Sequence, residues 1–234
     1  MDRLGIGFIR GLAPTEVVDA IQQVESAGFD SAWVAEGHGG DHFALLSAAA
    51  TATERIALGT AVTSVYVRSA PTIAMAAATV DALAGGRFRL GLGSSHRVQV
   101  VGEHGLAYTQ PIEQVRETIE IARRIWSEST ATYPGPRIPI EGFDLWFEPK
   151  HREIPIYVGA LNPKMLQLTG ALADGVILTR ATLDHVRSAN DEITVAAEQA
   201  GRDPAAIDRA VLIPCALHDD ADVARDVLRP GFAM

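Results

Sequence analysis

Lysine is almost missing: only Lys150 and Lys164 stand among 20 basic residues, and 29 acidic residues leave a formal net charge of -9. A field of that sign repels phosphate backbones and anionic headgroups, which argues against nucleic acid and membrane surfaces as partners. Cys215 is the only cysteine in 234 residues, so no intrachain disulfide forms, and no Cys-x-x-Cys pair exists for zinc or thiol exchange. No apolar run approaches the roughly 18 residues of a membrane helix. The chain opens on a strand-like run, Leu4 to Ile9, without the basic head and long apolar stretch of a signal peptide. A cytoplasmic protein is the expectation. Aromatics make up 6%, and Trp33, Trp126 and Trp146 are too scattered for a base-stacking platform.

What is abundant is alternation. Short β-branched runs at Leu4 to Ile9, Ser31 to Ala35, Ala57 to Val62, Phe88 to Gly91, Ile156 to Val158, Gly175 to Leu178 and Ala210 to Ala216 read as strands. Helical periods fill the gaps: Thr15 to Ala27, His42 to Thr53, Pro71 to Ala84, Pro111 to Ser127, Pro163 to Ala173 and Thr182 to Ala200. Proline suits a helix start, as at Pro14, Pro71 and Pro163, and Gly28, Gly85 and Gly201 mark stops. Such order implies parallel strands joined by helical crossovers, an α/β fold. Between a doubly wound sheet and a (β/α)8 TIM barrel, the unit length favours the barrel, whose eight units total roughly 250 residues. Residues 1–234 are expected to form a single barrel domain with a hairpin-like rim insertion at about 130–147. Val223 to Met234 begins a helix and offers no eighth strand, so either the sheet is open at a seam or, as expected here, the barrel is truncated, its last strand and helices missing.

Three constellations follow strand ends, where a barrel keeps its chemistry. Glu36-Gly37-His38-Gly39-Gly40-Asp41-His42 offers an acid and two imidazoles. His38 and His42 have the spacing of two zinc ligands on one helical turn, but the glycines between them disfavour a helix, and no metal site is expected. The bland alternative is Glu36 as a helix cap and both histidines solvated. Ala61 to Arg68 closes the third strand, with Arg68 a surface residue if the run is plain core. Gly91-Leu92-Gly93-Ser94-Ser95-His96 lets a backbone approach a ligand closely, yet lacks the third glycine of a dinucleotide fingerprint. No Ser-His-Asp triad, carboxylate pair or P-loop is legible.

Taken together, the segments Gly28 to Glu36, Thr53 to Thr60, Gly85 to Gly93, Pro155 to Ala160 and Ala173 to Ile177 resemble the bacterial luciferase-like oxidoreductases, barrels that bind FMN or a deazaflavin coenzyme. The sequence looks most similar to the deazaflavin branch related to methylenetetrahydromethanopterin reductase. The resemblance implies a non-proline cis peptide at Ala61-Val62 backing the coenzyme ring, with Ser64 beside it and Glu36 approaching it. It implies Ser94, Ser95 and His96 at the coenzyme tail or substrate, and Gly159, Ala160, Leu161 and Asn162 at a phosphate. Thr179 and Arg180 would line the mouth. One departure is that Gly37, not a histidine, follows the acid; another is His96 where a sugar-phosphate dehydrogenase relative has a catalytic acid, which argues against that substrate.

The resemblance implies an enzyme: hydride transfer between a reduced deazaflavin, coenzyme F420, and a small organic acceptor, with Glu36 or His96 as proton donor. The alternatives are an FMN-dependent monooxygenase and a truncated, non-catalytic barrel. A homodimer through helices on the barrel wall is also implied, and Pro71 to Ala84 is rich in Ala and Met.

Overall fold

The computed structural model describes residues 3–232. In chain order its elements are β1 (Gly5–Phe8), α1 (Pro14–Ser26), β2 (Ser31–Val34), α2 (His42–Ala52), β3 (Ala57–Thr60), β4 (Thr63–Ser64), α3 (Ala70–Leu83) and β5 (Phe88–Gly93). A π-helix (Gln99–Glu103), α4 (Pro111–Ser127), β6 (Ala131–Pro134), β7 (Pro139–Phe143), β8 (Ile156–Gly159), α5 (Pro163–Leu172), β9 (Gly175–Thr179), α6 (Leu183–Gln199), β10 (Asp208–Leu212) and α7 (Ala221–Phe232) complete them. The helix starts are chemically marked. Asp41, Ser69, Asn162 and Thr182 each accept a backbone N–H from the first turn that would otherwise lack a partner.

The main sheet is parallel in the order β1-β2-β3-β5-β8-β9-β10, with β4 continuing the line of β3 beside β5. Alternate residues of each strand face opposite sides. Ala32, Leu58, Leu90, Leu92, Ile156, Val158, Val176 and Leu178 are buried toward the helices. The other parity faces the bore, where two large rings meet glycines. Trp33 packs edge-on against Tyr157 at 5.2 Å, and a Cβ on Gly59 or Gly175 would lie 2.3 or 2.4 Å from the Trp33 or Tyr157 ring. The bore is therefore a filled core, as in barrels generally.

Among the described residues no ladder joins β1 to β10. The two edges nevertheless come close: Arg3 pairs with Asp208 at 2.6 Å across the seam, and a Cβ on Gly7 would lie 2.8 Å from Leu212 Cδ1. Seven parallel strands thus form a nearly closed barrel. On its outer wall the helices pack in chain order, and Trp126 of α4 is fully buried with its indole N–H bonded to the Ala74 carbonyl of α3. The rim insertion is the antiparallel β6–β7 hairpin. It is pinned to α4 by the Glu117 carboxylate, which accepts the N–H groups of Arg137 and Ile138.

Two expectations need correction here. The last strand is Asp208–Leu212, not Ala210 to Ala216, because its pairing with Gly175–Thr179 starts at Asp208 and gives residues beyond Leu212 no partner strand. The third strand does not run through to Val62: regular pairing with β5 stops at Gly59 and resumes at Thr63. At the break the Thr60 hydroxyl donates to the Gly91 carbonyl and accepts the Gly91 N–H, both at 2.8 Å, mending the ladder with a side chain. Gly91 permits that approach, since a Cβ there would lie 1.9 Å from the Thr60 carbonyl oxygen. The expected final helix is α7, and of its expected span positions 233–234 lie outside the described residues.

Candidate active site

A cleft of about 560 Å³ lies at the carboxyl ends of β2, β4 and β5, with Glu36, Ser64, Arg68 and Ser95 in its lining. The Ala61–Val62 peptide, just before Ser64 in the chain and outside that lining, is cis. The Val62 side chain fits beside two residues without Cβ atoms. A Cβ on Gly93 would lie 2.4 Å from Val62 Cγ2, and one on Gly159 3.3 Å from Cγ1. Glycines at the ends of β5 and β8 thus make room for Val62.

One wall is an ion-pair array. Glu36 Oε2 accepts the Ser64 N–H at 2.6 Å, and Oε1 accepts Arg68 Nε–H at 2.7 Å. Arg68 also donates through Nη2 to Asp41, the residue capping α2, and its guanidinium lies 5.4 Å from the Phe43 ring centroid. Arg68 is three-quarters covered, so the expectation of a surface residue is wrong: two carboxylates from the β2–α2 loop draw it inward. Burial works against both charges of the Arg68–Asp41 pair, but mutual hydrogen bonding wins, holding the Asp41 carboxyl below and the Arg68 guanidinium above their usual ranges.

His42, the first residue of α2, is not solvated either. It is fully buried, with Nε2 2.8 Å from Thr63 Oγ1 and Nδ1 without a hydrogen-bond partner. Burial pushes its pKa down to about 4; the Arg68 charge adds to that, and Glu36 and Asp41 oppose it. His38 points elsewhere, pairing at 3.0 Å with Glu103 of the π-helix. The two imidazoles do not converge, and the described residues hold no cluster of metal-binding side chains. The His38–Glu103 pair ties the β2–α2 loop to the segment that follows β5. Tyr66 secures the same segment, stacking on Tyr108 at 4.8 Å and donating its hydroxyl to the Thr109 carbonyl.

Among the residues expected at the site, Glu36, Ser64 and Ser95 line the cleft; Ala61 and Val62 precede Ser64 in the chain and Ser94 adjoins Ser95, but these three are outside the lining. Ser95 adopts a left-handed φ of 56°. His96 is exposed and outside the lining; its carbonyl accepts the N–H groups of Gln99 and Val100 as the π-helix begins. Gly159, Ala160, Leu161 and Asn162 lie at and just after the end of β8, outside the lining, with Gly159 against Val62. Asn162 Oδ1 is occupied as the cap of α5, accepting the Met165 N–H, and Leu161 is exposed. Thr179 ends β9 on that same side, before Arg180 at φ 52°. Asp41, His42 and Arg68 were missed as parts of one array. Asp41 before an apolar helical run is a legible cap signal, but nothing in the spacing joins it to Arg68.

A family model described as luciferase-like monooxygenase matches residues 6–234. The 5,10-methylenetetrahydromethanopterin reductase of Archaeoglobus fulgidus is 30% identical over 228 residues, covering 97% of this chain and 68% of that protein. The F420-dependent glucose-6-phosphate dehydrogenase of Kineococcus radiotolerans is 28% identical over 225 residues, covering 89% of this chain and 66% of that protein. A solved structure of coenzyme F420-dependent tetrahydromethanopterin reductase from Methanopyrus kandleri superposes with a TM-score of 0.87 at 26% identity, over 95% of this chain and 68% of the other. The chain therefore spans about two thirds of the length of these proteins.

Proposed function

The chain belongs to the luciferase-like monooxygenase family, and from that membership we propose that it is an F420-dependent oxidoreductase acting on a small organic acceptor. The observation that carries this reading is that relatives aligning along most of the chain are named as F420-dependent enzymes or as a reductase whose solved counterpart is F420-dependent. The residues present suit a flat ring with an anionic tail. Gly93 and Gly159 leave room for Val62, and Ser64 and Ser95 bring hydroxyls to the cleft. The cleft wall carries three carboxylates, Glu36, Asp41 and Glu103, against the one permanent cation Arg68, so an anionic tail is directed away from it, toward the end of β8 and the start of α5.

When bound, the deazaflavin supplies two-electron chemistry as hydride donor or acceptor. In this reading the Ala61–Val62 peptide and Ser64 support the ring, Ser94 and Ser95 meet its tail, and Gly159 to Asn162 with Thr179 hold the far side. Backbone N–H groups at the start of α5 suit a phosphate. Both oxygens of Glu36 already accept hydrogen bonds, so its work is to anchor Ser64 and Arg68. His96, whose exposed side chain is free to turn toward the mouth, is the residue assigned to hold and release the proton that accompanies reduction of the acceptor. The reading includes a homodimer through the exposed stripe Thr72, Met75, Thr79 and Leu83 of α3, which sedimentation tests.

The test is a fluorescence titration of the purified chain with F420 and with FMN. Preferential F420 binding is expected. Preferential FMN binding, with oxygen consumption by the reduced complex, favours a monooxygenase instead, and binding of neither overturns the reading.

A further inference from the structure

Thr63, His42 and Glu36 lie in a buried line that meets no demand of the hydride chemistry. His42 Nε2 is 2.8 Å from Thr63 Oγ1, and Nδ1 is 3.6 Å from Glu36 Oε1. Arg68 and the Ser64 N–H hold the carboxylate from its other sides. The order, hydroxyl then imidazole then acid, is that of a nucleophilic triad. Thr63 is fully buried, however, and its hydroxyl is shut away from any substrate, which excludes covalent catalysis.

We propose that His42 is fixed as the tautomer protonated on Nδ1, accepting the Thr63 hydroxyl proton at Nε2 and presenting Nδ1–H to Glu36, and that it is thereby the positioning residue for Thr63 and Ser64 at the edge of the cleft. A carboxylate oxygen offers only lone pairs. A bare Nδ1 facing Glu36 Oε1 in a buried site would set lone pair against lone pair, whereas Nδ1–H meets it with a positive end. The second proton of an imidazolium is kept off by burial, so Nε2 is bare and Thr63 must donate. The buried Nδ1 without a partner is then a donor separated from its acceptor by the few tenths of an ångström between 3.6 Å and a formed bond. Thr63 and Ser64 are consecutive, and both are gripped through this line: Thr63 by the imidazole, Ser64 by the carboxylate beyond it. The first turn of α2 thus fixes the Thr63–Ser64 segment that follows the Ala61–Val62 peptide.

The role of His42 toward a coenzyme rests on the proposed function, but the tautomer does not. Long-range ¹H–¹⁵N correlation on the coenzyme-free chain reads it directly. The expected spectrum has His42 protonated at Nδ1, and protonation at Nε2 overturns the proposal whether or not F420 binds. His42→Asn and His42→Gln then separate the two faces of the ring, since the asparagine amide replaces Nδ1 and the glutamine amide reaches the place of Nε2. Equal losses of thermal stability are expected, with the F420 Kd raised about tenfold in His42→Asn, which loses the Thr63 contact, and less than about threefold in His42→Gln, which keeps it, the scale of one hydrogen bond. Equal F420 affinities of the two folded variants overturn the positioning role. If the wild-type chain binds no F420, the functional reading falls and the tautomer still decides this one.

Discussion

The Cβ that Gly93 lacks would lie 2.4 Å from Cγ2 of Val62, so the end of β5 and the Val62 side chain are fitted to each other through one absent carbon. Gly93→Ala is expected to cost about 1–3 kcal/mol by overpacking. Val62→Ala removes the opposing atoms and is expected to recover more than about 1 kcal/mol of that in the double variant. Urea denaturation of the four proteins measures the coupling. Additive losses within about 0.5 kcal/mol would show that the two residues do not press on each other.

His42 makes stability depend on pH in a particular window. Its folded pKa of about 4 lies below the roughly 6.5 of an unfolded chain. Between those values the unfolded chain binds the extra proton, so stability is full above about pH 6.5 and declines as pH falls toward 4. The complete loss is of order 3 kcal/mol. Asp41, also facing this array, has a depressed pKa and acts the same way only at lower pH, below the ordinary aspartate value. Urea midpoints from pH 7.5 to 4.5 should fall more steeply for the wild type than for His42→Gln, and parallel curves would refute the assignment.

Arg68 holds Glu36 with Nε and Asp41 with Nη2, two points that a single ammonium cannot serve together. Arg68→Lys is expected to lose about 1–2 kcal/mol and Arg68→Met about 2–3 kcal/mol, less than a fully buried pair because the guanidinium keeps some solvent. The melting temperatures should follow that order. A lysine variant as stable as the wild type would mean that only the charge matters.

At the seam, Asp208 accepts the Tyr157 hydroxyl of β8 at 2.6 Å and pairs across the gap with Arg3 at 2.6 Å. Burial and this carboxylate both push the Tyr157 pKa up, so the phenol stays protonated and donating. Asp208→Ala is expected to cost about 1–3 kcal/mol by stranding the half-buried hydroxyl. Asp208→Asn keeps an acceptor and is expected to cost under about 1 kcal/mol. Chemical denaturation separates the two, and equal costs would assign the loss to the exposed Arg3 pair.

Most of the barrel was legible because its elements are marked locally. Prolines at the helix starts, glycines at their ends and β-branched runs between them located six of the seven main-sheet strands to within about two residues. The exception, β10, shows the limit: Val211 to Ala216 is apolar enough to suggest continuation, but the neighbouring β9 ends opposite Leu212 and Pro214 has no N–H to donate to a ladder. The π-helix Gln99–Glu103 was invisible, since a π turn has no 3.6-residue period to read. At the site, the acid, the bulge and the serines were found because they sit on strand ends. The array linking Glu36, Asp41, His42, Thr63 and Arg68 was not, because its contacts span 21 to 32 positions and exist only once β2 and β4 are side by side.

The contact of Val62 with both Gly93 and Gly159 bears on the order of events in folding. The β5–β8 ladder pairs Leu90 with Ile156, closing a loop of 66 residues, the longest closure among adjacent strands of the main sheet. Non-local closures of this kind are slow steps. Residues up to Gly93 supply one of the two glycines that meet Val62, and the other arrives only with the end of β8. Under the proposed function, a coenzyme that binds only the finished sheet would lengthen its lifetime by slowing unfolding while leaving the rate of folding unchanged.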